Sequence, residues 1–419
     1  MFTKDENEAL TRTGPGTPGG RMMRHYWHPV ALAADLPADG APLPLTIMSE
    51  DLVLFRDDQG RLGLMPANCP HRGADLTYGR VEDGGIRCIY HGWLFDVTGQ
   101  CIEQPAEPRG KSFCQQVRHV SYPVREAAGL IFAYLGTGAP PEFPDHEGLR
   151  AAPEHLAVWK FRERCNFLQS LEGDIDPFHL NFLHKAMNND AVRNLPGTTD
   201  QYYDFYVNGT PRLEVEKTGF GLRIYTMREL GERAYLRVTN YLMPNLAIVA
   251  GTTGEDGYSA LWHTPVNDTE HVKFMLNFKR SAPINRELMQ KLFEMHVDPA
   301  TGENRRTREN RFLQNRAEMK TGWFIGMGPS FTVHDNFVTE SMGPIYDRSK
   351  EKLGYSDMAV VAARRLLLKG IADVEAGREP PCRIHDAQTA QMADVVVRSY
   401  IVADKSRYKE SVFDRQAAE

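Results

Sequence analysis

Two cysteines and two histidines sit on two short stretches of similar build: Cys69-Pro70-His71-Arg72-Gly73 and, with sixteen residues between His71 and Cys88, Cys88-Ile89-Tyr90-His91-Gly92-Trp93. Each stretch offers one thiolate and one imidazole, spaced C-x-H and C-x-x-H. That set suits a 2Fe-2S cluster with both cysteines on one iron and both histidines on the other. Tetrahedral zinc takes the same four ligands. Zinc modules, however, commonly present a cysteine pair before a histidine pair, and here each stretch holds one of each. A cluster of this kind moves single electrons and makes no substrate bond, so the chain is an electron carrier or holds a second reactive site.

Length favours the second option. A cluster domain needs roughly 100 residues, and 419 residues predict two or three domains. The chain is 42% apolar and 25% charged, with no apolar run near the roughly 18 residues that a membrane helix requires. The acidic start, Met1 to Glu8, lacks the pattern of a signal peptide, so a cytoplasmic protein without a membrane partner is expected. A net charge of -6 speaks against a nucleic-acid partner, which would need a basic face. Cys101, Cys114, Cys165 and Cys382 are scattered singly and are expected to be free thiols in a reducing compartment.

Thr11 to Gly20 is rich in Gly and Pro and predicts an extended lead-in. Leu52–Phe55 and Arg61–Met65, separated by Asp57-Asp58-Gln59-Gly60, predict a hairpin. Gly129–Leu135 is a further apolar strand, and Gly136–Pro144 has the Gly/Pro content of a domain boundary. Asn166–Leu183 predicts a helix interrupted near Pro177. Strands are expected at 221–227, 234–243, 245–250, 258–264 and 271–278, in one antiparallel sheet. Helices are expected at 285–296 and from Ser356, as N-cap, through Ala372. Arg305–Arg316 predicts a solvated helix or loop.

The second candidate site lies in Asp176-Pro177-Phe178-His179-Leu180-Asn181-Phe182-Leu183-His184. Histidines five apart diverge by about 140° on an ideal helix, and alone they are more often ordinary partly buried residues. A break at Pro177 would let both reach one metal.

Taken with the upstream cluster motif, Asp-x-x-His-x-x-x-x-His resembles the large subunit of the Rieske non-heme iron aromatic-ring oxygenases, of the phthalate dioxygenase type. Pro70, Gly85, Gly92 and Trp93 match the cluster loops of that family. Further supporting stretches are Asn166–Gly173, His334–Ile345, Asp347-Arg348-Ser349 and Leu353-Gly354, and the similarity spans about Arg12 to Gly370. It implies an α+β fold: a lead-in (1–39) on the catalytic domain, an all-β Rieske 2Fe-2S domain (40–140) and a catalytic domain (141–419). The last would have a curved antiparallel sheet covered by helices, of helix-grip, START-like type.

It also implies one 2Fe-2S cluster on Cys69, His71, Cys88 and His91, and one mononuclear Fe(II) on His179, His184 and Asp335, with O2 as cosubstrate. Glu340 and Asp347 compete for the carboxylate position. Two histidines and one carboxylate leave open positions for oxygen. Asp176 takes the place of the family's bridging aspartate, between a mononuclear-iron histidine and the Rieske histidine of a neighbouring subunit, here His91. Head-to-tail homotrimers or paired trimers follow from that bridge. No G-x-G-x-x-G follows a strand, so electrons are expected from a separate NAD(P)H-dependent reductase with FMN and its own 2Fe-2S centre. The implied substrate is an aromatic carboxylate of phthalate or benzoate type, hydroxylated by cis-dihydroxylation. Single hydroxylation or O-demethylation is the alternative, and a plain electron-transfer protein is the rival from another class. A buried carboxylate needs a cation, and Arg212, Arg223 and Arg237 lie on or beside expected strands.

Overall fold

The computed structural model describes residues 2–38, 40–108, 113–187, 210–250 and 256–413. The lead-in is more ordered than its composition predicts, forming helices α1 (Lys4–Thr11) and α2 (Pro18–Met23). Thr17 caps α2 by accepting from the Gly20 amide, with Pro18 at the first helical position, where a missing N–H costs nothing. Gly20 is needed for proximity: a Cβ there would lie 2.3 Å from the Gly14 carbonyl oxygen. Both helices pack on the catalytic domain, Leu10, Met22 and Met23 sharing a core with Leu367 and Ile371. The next stretch, β1 (Trp27–Leu32), instead pairs with β10 (Leu130–Tyr134), so part of segment 1–39 belongs to a sheet of the β-domain.

Three small antiparallel sheets make up that β-domain. One is β1-β10-β9, with β9 at Val124–Ala127, and the second is β2 (Leu43–Ile47), β3 (Glu50–Arg56) and β4 (Leu62–Pro66), which contains the expected hairpin. The third consists of β5 (Arg80–Glu82), β6 (Gly85–Arg87), β7 (Leu94–Asp96) and β8 (Cys101–Glu103). Cys69 follows the second sheet, and Cys88 lies between β6 and β7.

The catalytic domain is an eight-stranded antiparallel sheet in the order β11-β17-β16-β15-β14-β13-β12, with β18 also paired to β14. Its strands are β11 (Leu156–Glu163), β12 (Arg212–Lys217), β13 (Gly221–Leu230), β14 (Arg233–Leu242), β15 (Leu246–Val249), β16 (Gly257–Asn267), β17 (Glu270–Lys279) and β18 (Arg398–Val402). The five expected strands are all present, whereas β11, β12 and β18 went unread. Helices α3 (Phe167–Ile175) and α6 (Met358–Glu375) cover one face, burying Leu168, Leu171, Ala363 and Leu367 against Leu222, Ile224, Ala247 and Leu261. Tyr225, Met227, Leu236 and Val238 point the opposite way, into a separate cluster with Tyr400 and Tyr408, as a period of two requires.

Two further helices are α4 (Arg286–Glu294), capped by Asn285, and α5 (Phe331–Ser341). The expected Ser356 cap is not formed; Ser356 lies in a 3-10 turn, and the Asp357 carboxylate accepts from the Gly354 amide instead. Residues 305–316 are loop and turn with one 3-10 turn at Arg311–Leu313. Helix α3 is tied down by Glu172, which receives Arg348 (3.1 Å) and Arg364 (2.6 Å). Burial alone would push this carboxyl up, but the two guanidinium groups hold it below its ordinary value.

Candidate metal centres

The two cysteine loops share one backbone design. The Cys69 amide donates to Ala74 O and the Gly73 amide to Cys69 O, both at 2.8 Å; Cys88 donates to Trp93 O at 2.8 Å and Gly92 to Cys88 O at 3.0 Å. Gly73 and Gly92 close their loops at φ 77° and 74°, a region where a Cβ is penalised. The ring of His71 lies flat on Trp93 at 4.3 Å, and its centroid is 4.5 Å from that of His91. Both cysteines are buried and both imidazoles half-exposed, beside the exposed Ile89 and Tyr90. Two thiols inward and two imidazoles outward, on mirrored loops, fit a mixed-ligand 2Fe-2S cluster. Burial and the adjacent Cys88 push the Cys69 thiol up, so loading the metal must displace protons. Cys101 and Cys114, single thiols in the sequence, meet below this site with sulfurs 3.5 Å apart.

Helix α3 ends at Ile175 rather than at Leu183, with Asp176 as its C-cap, and a 3-10 turn follows at His179–Asn181. This break removes the 140° divergence: His179 Nε2 and His184 Nε2 are 3.1 Å apart. Asp335 lies on α5, and its Oδ1 is 3.0 Å from His184 Nε2 and 3.6 Å from His179 Nε2. Three ligands at right angles and about 2.1 Å from one metal stand about 3.0 Å from each other. The spacing therefore fits a facial triad.

Hydrogen-bond polarity agrees with this fit. His334 Nε2 faces the Gly328 carbonyl at 2.8 Å and must donate to it. Its Nδ1 then accepts from His184 Nδ1 at 3.0 Å, which leaves His184 Nε2 with a bare lone pair toward Asp335 and His179. His334 thus orients a ligand, a role the sequence reading did not assign. Its only sequence signal was its place beside Asp335, since ligating histidines usually hold a partner through the second ring nitrogen.

A second buried chain fixes the end of α3. Asp174 accepts from His263 Nε2 (2.8 Å) and Lys273 Nζ (2.9 Å). His263 in turn contacts His271 at 3.2 Å, and His271 donates to the Cys165 carbonyl at 2.9 Å. Burial would raise the Asp174 carboxyl, but Lys273 and His263 hold it down at about 2.

Asp176 is 28% exposed; its Oδ1 accepts from the Phe178 amide at 2.8 Å and its Oδ2 is 3.8 Å from His179 Nδ1. That nitrogen is buried with no hydrogen-bond partner. Asp176, His179, His184 and Asp335 line a cavity of about 200 Å³ with Arg237, Thr239, Ser259 and Asn277. Arg212 and Arg223 do not reach it. Arg237 pairs with Thr226 in the β13–β14 register, whereas Arg223 pairs with Asn240, and Arg212 pairs with Met227, which pairs with Leu236. Both therefore sit on the opposite face; Arg212 is exposed, and Arg223 binds Glu216 at 3.1 Å.

The competing carboxylates are elsewhere. Asp347 caps a 3-10 turn. Glu340 accepts from the Arg164 amide at 2.9 Å, and burial, aided by Glu163, pushes it up to about 7. A carboxyl raised in the folded state keeps its proton where the unfolded chain has lost it, so stability falls as pH rises from about 4.5 to 7. Glu340→Gln is expected to flatten that decline, as the thermal midpoints at pH 5 and pH 8 will report.

Residues 26–121 match a Rieske [2Fe-2S] domain and residues 133–413 a LigXa C-terminal domain like family. The phthalate 4,5-dioxygenase oxygenase subunit of Pseudomonas putida is 34% identical over 96% of this chain and 95% of its own. The 3-chlorobenzoate-3,4-dioxygenase oxygenase subunit of Comamonas testosteroni is 33% identical over 91% of each chain. The 5,5'-dehydrodivanillate O-demethylase oxygenase subunit of a Sphingobium strain is 31% identical over 92% of this chain and 84% of its own. In fold, the chain is similar to dicamba monooxygenase bound to dicamba, with a TM-score of 0.60 at 20% identity over 85% of this chain and 99% of that one. The two family matches together span most of the chain, the relatives align over most of their own length, and the chain belongs with them to the Rieske-type aromatic oxygenases, as an oxidoreductase with a 2Fe-2S cluster and a mononuclear iron.

Proposed function

We propose that the chain is a terminal oxygenase for an aromatic carboxylate of phthalate or benzoate type, with cis-dihydroxylation as its reaction. Cys69, His71, Cys88 and His91 would hold the cluster, and His179, His184 and Asp335 the mononuclear iron. When bound, these groups supply single electrons and open coordination positions for dioxygen. Insertion of one oxygen atom, with or without loss of an O-methyl group, is the second reading, favoured by the similarity to an O-demethylase subunit.

The carrying observation for the substrate class is Arg237, the one arginine or lysine among the described residues that line the cavity of the triad. A guanidinium offers a carboxylate two parallel N–H donors and orients the ring beside His179 and His184. Removing one partner of a buried pair costs about 3 to 5 kcal/mol, so Arg237→Ala is expected to lower kcat/KM on the acid by about two to three orders of magnitude. The uncharged amide should lose far less. Equal losses on acid and amide would remove the clamp, and a wild-type preference for neutral aromatics would remove the substrate class.

Asp176 lines the cavity with one carboxylate oxygen toward His179. We infer that it joins this histidine to His91 of a neighbouring subunit in a head-to-tail homotrimer or paired trimers. Electrons would come from a separate NAD(P)H-dependent reductase bearing FMN and 2Fe-2S. Among the described residues no helix is long and apolar enough to cross a membrane. None of the six cysteines is in a disulfide, which suits the reducing cytoplasm.

A further inference from the structure

One wall of the cavity is a polar row set directly by strand register. Asn277 on β17 pairs with Ser259 on β16, and Ser259 with Val249 on β15. The β14–β15 register then brings Thr239 opposite Val249. All four line the cavity. Three strand spacings of about 4.8 Å separate Thr239, the neighbour of Arg237 on the same face, from Asn277. The row thus runs from the cationic end of the cavity to the neutral amide of Asn277.

Asn277 is 1% exposed, and its amide is half used. Oδ1 accepts from the Ser259 hydroxyl at 2.7 Å, while Nδ2 is buried with no hydrogen-bond partner. His296, also 1% exposed and on the same cavity, has neither ring nitrogen partnered. Burial pushes its imidazole down to about 3, so it stands neutral, with one N–H and one bare nitrogen. A buried donor without an acceptor is a standing cost to the fold. Both residues line the same cavity, and unpartnered polar atoms there are what a missing ligand atom would leave.

We propose that Asn277 and His296 form a specificity subsite for a neutral, lone-pair-bearing ring substituent, a hydroxyl, methoxy or ether oxygen, at the far end of an aromatic acid. This rests on the aromatic-carboxylate reading above and narrows it. The Nδ2 amide of Asn277 donates to the substituent oxygen, and a hydroxyl substituent also donates to the bare nitrogen of His296. A second carboxylate would meet no cation from these two residues. The subsite therefore selects substituted monoacids over dianions.

Equilibrium titration of the holoprotein with benzoate, phthalate and the isomeric hydroxy- and methoxybenzoates, read by calorimetry, tests this. At least one neutral-substituted acid is expected to bind about tenfold or more tightly than benzoate. In Asn277→Leu that advantage should collapse, and in His296→Phe it should fall for hydroxy more than for methoxy acids. The visible spectrum of the cluster checks that each variant is folded; if Asn277→Leu is not, Asn277→Ala and the wild-type series decide. Phthalate binding more tightly than every neutral-substituted acid, or an advantage that survives loss of the Asn277 amide, would overturn the subsite. A wild type that binds no aromatic acid at all would overturn the substrate class itself.

Discussion

His179→Ala and Asp335→Ala are expected to keep the visible absorption of the cluster and its low-average-g signal after reduction, yet to lose product formation by three orders of magnitude or more, about 4 kcal/mol. The expectation follows from geometry. The three ligand atoms stand 3.0 to 3.6 Å apart, and removing one leaves two donors for a metal that needs three. Cys69→Ser and Cys88→Ser should do the opposite and abolish the cluster signal itself, because each thiol is buried at the base of its loop. Full activity in Asp335→Ala would withdraw the ligand role from α5. Glu340 and Asp347 could not inherit it without rearrangement, since one is held by the Arg164 amide and the other caps a turn.

Asp176→Asn is expected to retain both metals and nearly stop turnover. The carboxylate accepts from the Phe178 amide and approaches His179 Nδ1 without being one of the three triad ligands, so its loss leaves each metal site intact and impairs passage between them. Asparagine preserves the bond from the Phe178 amide, which keeps the 3-10 turn in place and separates an electron-transfer defect from a structural one. In a single turnover of pre-reduced protein with substrate and oxygen, the variant's clusters should stay reduced while the wild type reoxidises. Rapid reoxidation would leave Asp176 as the C-cap of α3 and nothing more.

The cluster loops were legible in the sequence because their chemistry is local: ligand, turn and closing glycine all fall within six residues. The His179/His184 pair was legible as a motif, and its geometry followed from Pro177, although the helix stops at Ile175, two residues before the proline. Asp335 came only from resemblance, because nothing local marks which acid on a distant helix will face two histidines. His334, Asp174, His263 and Lys273 escaped notice for the same reason, their roles existing only once α3, α5, β16 and β17 are stacked. The arginines are the clearest case. All three looked equivalent on expected strands, but strand parity puts Arg237 on one face and Arg212 and Arg223 on the other, and parity is undefined until register is known. The lead-in misled through composition: Gly19 and Gly20 are there for close helix packing, not for flexibility.

Iron content tests the central claim most directly. Wild-type protein purified with its metals should contain three irons per chain, two with the acid-labile sulfide of the cluster and one without. His184→Ala should contain two, with the cluster spectrum unchanged. Two irons in the wild type, under conditions in which added Fe(II) neither binds nor supports oxygen consumption with any aromatic acid, would contradict the account and leave an electron carrier in its place.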